Sequence, residues 1–63
     1  MNNHEIFLDT QEASAFLKVS RQTLCNWRHH RRGPNYIKLG RTVRYSLDDL
    51  KDFMNRRKIR LED

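Results

Sequence analysis

The chain has 63 residues, a net charge of +5, a pI near 10.0 and one cysteine. This length is near the lower limit at which one hydrophobic core can hold a fold without disulfides, and it leaves no room for a second domain. We therefore expect a single domain over residues 1–63, with an ordered core over about 8–57. Cys25 has no partner for an internal disulfide, and the N-terminus lacks the features of a signal peptide or membrane span, so we expect a cytoplasmic protein.

The charged residues are distributed unevenly along the chain. Every acidic residue lies at or before Glu12 or at or after Asp48, and the segment between them is cationic. Its basic residues are Lys18, Arg21, Arg28, Arg31, Arg32, Lys38, Arg41 and Arg44. Such a segment favours a polyanionic partner such as nucleic acid. The alternative is surface charge that only keeps a small protein in solution.

Two short helices are predicted first. Asp9 and Glu12 have the spacing of a capping box, which predicts a first helix from about Thr10 to Leu17. Its buried stripe at i, i+3 and i+4 is Ala13, Phe16 and Leu17. Ser20 predicts the N-cap of a second helix, which must end by Gly33-Pro34. The short connection between the two helices predicts a helix-turn-helix.

The second helix carries the candidate recognition surface. Leu24 and Trp27 share one face at i, i+3, so we expect both to pack inward, Trp27 as a core residue rather than a platform for stacked bases. The residues then turned outward are Gln22, Cys25, Asn26 and His29, with Arg21, Thr23 and Arg28 on the flanks. Amides pair with adenine in the major groove, so Gln22 and Asn26 are the predicted base-reading residues. A merely solvated face is the alternative.

A hairpin and a third helix complete the predicted elements. Ile37 and Leu39 alternate with Lys38, and Val43 and Tyr45 alternate with Arg44, around a turn at Gly40-Arg41. We therefore expect an apolar face and an opposite face on which Lys38, Arg41 and Arg44 contact phosphates or enter a minor groove. Ser46 and Asp49 have a second capping-box spacing, which predicts a helix reaching about Arg57. Its apolar face is Leu47, Leu50, Phe53 and Met54.

The groups that catalysis needs are missing from the middle of the chain. It has no carboxylate pair, no glycine-rich phosphate loop and no nucleophile with an evident base, so we expect no catalytic residue and no small-molecule substrate. Cys25 and His29 have i, i+4 spacing, but two ligands do not close a metal site. We therefore expect neither a metal nor a cofactor.

Two segments together resemble one known family. The run from Leu8 to Trp27 resembles the opening of the excisionase-type, MerR-like helix-turn-helix family. Gly33-Pro34, the run from Tyr36 to Tyr45, and Leu47-Asp48-Asp49-Leu50 are similar to its hairpin wing and closing helix. The resemblance covers about residues 8–57 and implies a mainly α winged helix-turn-helix with a small β-hairpin. Cys25 departs from it, since related sequences often have a larger aromatic residue there, and Phe53 stands where tryptophan is frequent.

The resemblance also implies a function. The second helix would enter the major groove of double-stranded DNA, and the wing would contact the neighbouring minor groove or backbone. The implied groove-facing residues are Arg21, Gln22, Thr23, Asn26 and Arg28, and the implied wing residues are Lys38, Arg41 and Arg44. Members are recombination directionality factors of phages and mobile elements, or small transcriptional regulators, and the fold does not choose between these roles.

The partners expected from this resemblance are double-stranded DNA, an integrase and further copies of the chain on repeated sites, in a cytoplasmic protein associated with the nucleoid. A protein-interaction adaptor that presents Trp27, Tyr36 and the basic face to an acidic partner is a third hypothesis. RNA binding is disfavoured, because a short helix-turn-helix fits the wide major groove of B-DNA better than the deep, narrow groove of RNA.

Overall fold

A computed structural model describes residues 5–59 and residue 61. In chain order the elements are β1 (Phe7–Leu8), α1 (Thr10–Leu17), α2 (Arg21–His29), β2 (Ile37–Leu39), β3 (Thr42–Ser46) and α3 (Leu47–Arg56). The strands form an antiparallel sheet in the order β1-β3-β2. This arrangement confirms the predicted winged helix-turn-helix and adds β1, which the sequence patterns did not indicate. No helix within the described residues is long and apolar enough to cross a membrane.

Helix α1 begins and ends on local hydrogen bonds. The Asp9 carboxylate accepts from the Glu12 N–H at 2.7 Å, and the Glu12 carboxylate accepts from the Asp9 N–H at 2.9 Å, so the predicted capping box is confirmed. The buried residues of α1 are Ala13 and Ser14, whereas Phe16 is 38% exposed and its predicted burial is wrong. Two small side chains on the inner face leave room for neighbouring elements to pack closely against α1, and this rotates Phe16 toward solvent.

Helix α2 also has the predicted cap. The Ser20 hydroxyl accepts from the Thr23 N–H at 2.9 Å. The helix ends at His29 and its C-cap is His30, so it stops before Gly33-Pro34 as predicted.

Helix α3 also begins at its predicted cap. The Ser46 hydroxyl accepts from the Asp49 N–H at 3.4 Å, and α3 ends at Arg56, next to the predicted limit.

The core lies where the three helices meet β3. Leu24, Tyr45 and Leu50 are at most 1% exposed and form one cluster with Ala13. Trp27 packs against this cluster, with its ring centroid 5.6 Å from that of Phe53, so its predicted packing role is confirmed. Met54 is exposed, which corrects the expectation that it closes the apolar face of α3.

The register of the hairpin contradicts the predicted division into an apolar and a cationic face. Ile37 lies opposite Arg44, and Lys38 lies opposite Val43. Directly opposed residues share a face, so Lys38 is on the inner face with Val43, while Arg44 is on the outer face with Ile37. The cause is the two-residue turn at Gly40-Arg41. The predicted faces needed a turn with an odd number of residues.

Candidate nucleic-acid interface

The exposed face of α2 presents two amide side chains one turn apart. Gln22 and Asn26 are both exposed, and the Gln22 Nε2 donates to the Asn26 Oδ1 at 3.3 Å. This bond holds the amides side by side on the helix surface. Both amides keep further donor and acceptor positions for an incoming base edge. The helix contains no carboxylate, so nothing on α2 itself repels a polyanion.

The first turn of α2 lies close to α1. The Arg21 guanidinium is exposed and donates to the Gln11 Oε1 at 3.4 Å. The Thr23 hydroxyl is half-buried and accepts from the Ser20 hydroxyl at 2.8 Å. Thr23 therefore takes part in the N-terminal cap, while Arg21 extends from the surface beside the amides.

Arg28 joins α2 to the hairpin. Its Nη1 donates to the Tyr45 hydroxyl at 2.9 Å, its Nη2 lies 3.7 Å from the Cys25 Sγ, and its Cζ lies 5.7 Å from the centroid of the Tyr36 ring. Burial lowers the pKa of the Arg28 guanidinium, but the hydrogen bond to Tyr45 and the interaction with Cys25 raise that pKa by more. The guanidinium therefore keeps its charge at the junction and connects α2 to Tyr45 of the hairpin by a charge-assisted hydrogen bond.

Two cationic grooves meet at Arg28. One, of about 580 Å³, lies between the N-terminal half of α1, α2 and the hairpin tip. Its basic lining residues are Arg21, Arg28, Arg41 and Arg44, and one carboxylate, that of Asp9, also lines it. The other, of about 750 Å³, lies between the C-terminal end of α2 and β2. Its basic lining residues are Arg28, His29, Arg31, Arg32 and Lys38.

The predicted site residues are not arranged as one basic strip. Lys38 lines the groove at the end of α2, whereas Arg41 and Arg44 line the groove at the other side of Arg28. The Arg44 Nη1 donates to the Val43 carbonyl at 2.9 Å, which holds that side chain against the backbone of β3. The prediction that Lys38 and Arg44 act from the same face of the wing is therefore wrong in geometry, while their contacts with DNA stay predictions.

Sequence reasoning assigned Arg31 and Arg32 to the cationic segment without placing them in a site. The structure brings both to the groove beside β2, together with Tyr36. The sequence pattern that could have indicated them is the run Arg31-Arg32-Gly33-Pro34, in which two arginines come just before a predicted helix stop. Locating the groove itself needed the path of the loop.

Comparison with known proteins agrees with the helix-turn-helix fold. Residues 7–58 match the sequence profile of a family described as a helix-turn-helix domain. The match spans both helices of the motif, the hairpin and α3. No curated protein matches the chain significantly.

Proposed function

The chain belongs to this excisionase-like helix-turn-helix domain family and is a DNA-binding protein; from that premise we propose that it recognises specific sequences in double-stranded DNA through α2. The observation that carries the proposal is the exposed, carboxylate-free face of α2, on which Gln22 and Asn26 lie side by side. A helix of about 10–12 Å diameter fits the major groove, which is about 12 Å wide. The family is a DNA-binding one, and the proposal includes no catalytic step.

Within this proposal the amides read bases and the cations set the register on the backbone. Gln22 and Asn26 exchange their mutual hydrogen bond for bidentate contacts with adenine edges. Arg21 and Thr23 contact the DNA backbone at the rim of the major groove, and Arg28 contacts it from the junction with the hairpin. The wing contacts are made by Lys38, Arg41 and Arg44, from two directions rather than from one face.

Removing either amide is expected to weaken binding selectively. Gln22→Ala or Asn26→Ala should cost about 1–3 kcal/mol on the preferred site and little on random duplex, because only base contacts distinguish the two DNAs. Competition titrations with both duplexes measure the difference. Asn55→Ala is the matched control, since Asn55 is an exposed asparagine on α3. Equal losses on the two DNAs would refute base reading by α2.

The wing makes a separate, salt-dependent prediction. Arg41 is exposed at the hairpin turn, and Arg41→Gln should make the plot of log affinity against log salt shallower by about one, because one phosphate contact is lost. Lys51→Gln removes the same charge from the exposed surface of α3 and should leave the slope unchanged. Titrations of random duplex at several salt concentrations give the slope. The wing assignment fails if Arg41→Gln behaves like Lys51→Gln.

We propose that the biological role is that of a recombination directionality factor of a phage or mobile element, with an integrase and further copies of the chain as partners at the nucleoid. Family membership supports this role, and it equally supports a small transcriptional regulator using the same surface. Genome-wide recovery of bound fragments tests the choice. Enrichment of closely repeated sites beside an integrase gene supports recombination, and enrichment confined to promoters supports regulation. Absence of any enrichment over random duplex favours an adaptor.

A further inference from the structure

We propose that the groove between the end of α2 and β2 holds a backbone phosphodiester of the bound DNA, contacted by Arg31 and Arg32 from the loop and by Lys38 from β2. The inference rests on the proposed DNA binding and adds two contact residues outside both the recognition helix and the wing. We name this groove, of about 750 Å³, the loop groove.

The loop that carries the two arginines is fixed by its backbone. The Arg31 N–H donates to the Arg28 carbonyl at 3.2 Å, and the Arg32 N–H donates to the Trp27 carbonyl at 2.7 Å. Gly33 lies against the Trp27 side chain, and Pro34 is buried. The chain therefore turns back onto the end of α2, where Arg31 and Arg32 are both exposed. Because these hydrogen bonds already order the loop, DNA binding would cost little further conformational entropy there.

Arg31 has a backbone conformation that glycine adopts more easily than arginine. Its φ is +57°, in the left-handed region that glycine adopts without penalty. A residue at the end of a helix in this conformation is most often glycine, which would stabilise the fold better than arginine. Arg31 adopts this conformation while lining the loop groove, which places its side chain beside the other cations there.

The electrostatics of the loop groove favour an anion. Arg28, Arg31, Arg32 and Lys38 line it, and no carboxylate is among its lining residues in the described part of the chain. Like charges held together repel each other, and a phosphate relieves that repulsion. Guanidinium groups bind phosphate oxygens with paired, charge-assisted hydrogen bonds.

The loop groove also lies in the right direction for DNA. It begins at His29, which continues the exposed face of α2 one turn beyond Asn26. With α2 centred in a major groove about 12 Å wide, a bordering strand passes about 6 Å from the helix axis. In this proposal that strand passes the C-terminal end of α2, where Arg31 and Arg32 line the loop groove.

The test compares Arg31 with Lys18, a second basic residue in the left-handed conformation. Lys18, at the C-terminus of α1, has a φ of +59° and does not line the loop groove. Arg31→Gly and Lys18→Gly each remove one positive charge and relieve one strained residue, so neither should lower the melting temperature. Only Arg31→Gly is expected to make the salt slope for random duplex shallower by about one.

Arg32→Gln supplies a second, independent variant. It should also reduce the slope by about one, without changing the ratio of affinities for the preferred site and random duplex, because phosphate contacts carry no sequence information. Unchanged slopes in Arg31→Gly and Arg32→Gln, with sequence preference retained, would overturn the loop groove and leave the proposed function standing. Absence of duplex binding by the unaltered chain would overturn both.

Discussion

Leu50→Ala is expected to lower the free energy of unfolding by about 2–5 kcal/mol. Leu50 is fully buried at the centre of the cluster formed with Leu24 and Tyr45, and truncation leaves a cavity there. A domain of this size rarely has more than about 3–5 kcal/mol of stability from its core. The variant should therefore lose a large part or all of its stability, and circular dichroism during thermal and urea unfolding measures the loss.

The same helix offers a matched control for this prediction. Met54 lies on α3 four residues beyond Leu50 and is 47% exposed. Met54→Ala removes a side chain of similar size from the surface, and alanine favours the helix, so we expect a cost below about 1 kcal/mol. Similar losses for the two variants would contradict the assignment of Leu50 to the core.

Gly33→Ala is expected to cost about 2–5 kcal/mol, from two effects that add. Gly33 has a φ of +85°, which any residue with a Cβ adopts only with strain. A Cβ added there would lie 3.1 Å from the Trp27 Cβ and 3.1 Å from its Cε3. The Trp27 side chain packs between this loop and the core, so it has little freedom to move away. Chemical unfolding monitored by tryptophan fluorescence measures the change.

Gly40 separates the two contributions. Its φ is +64°, yet nothing lies within 4 Å of a Cβ added at that position. Gly40→Ala should therefore cost only the backbone strain, about 1–2 kcal/mol. If the two alanine variants lose the same stability, close packing of the loop against Trp27 is not what fixes Gly33.

The helices were predictable from the sequence because their boundaries depend on local hydrogen bonds. Asp9, Ser20 and Ser46 each cap a helix by accepting from an N–H three residues ahead, so the signal lies within one turn of chain. The positions of Leu24 and Leu50 follow from the same local periodicity. The exposed placement of Gln22 and Asn26 follows from it too.

The sheet was less predictable, because pairing depends on residues far apart in the chain. Phe7 pairs with Ser46, and the Leu47 N–H donates to the Ile6 carbonyl at 2.8 Å. No residue pattern near Phe7 indicates that it pairs with Ser46, so β1 was not predicted. The faces of β2 and β3 depended on the number of residues in the turn, which alternation within each strand does not reveal. The loop groove was hidden for the same reason, since its walls come from α2, the loop and β2.

The turn at Gly40-Arg41 limits how this domain can change in length during evolution or engineering. Hairpin tips ordinarily tolerate insertions, because they are exposed and make few contacts. Here one added residue would shift the pairing by one position and exchange the faces of β2, sending Lys38 away from α2 and Ile37 toward it. Two added residues would restore the original faces. Chains that keep this wing should therefore differ in tip length by even numbers, unless a β-bulge absorbs the odd residue.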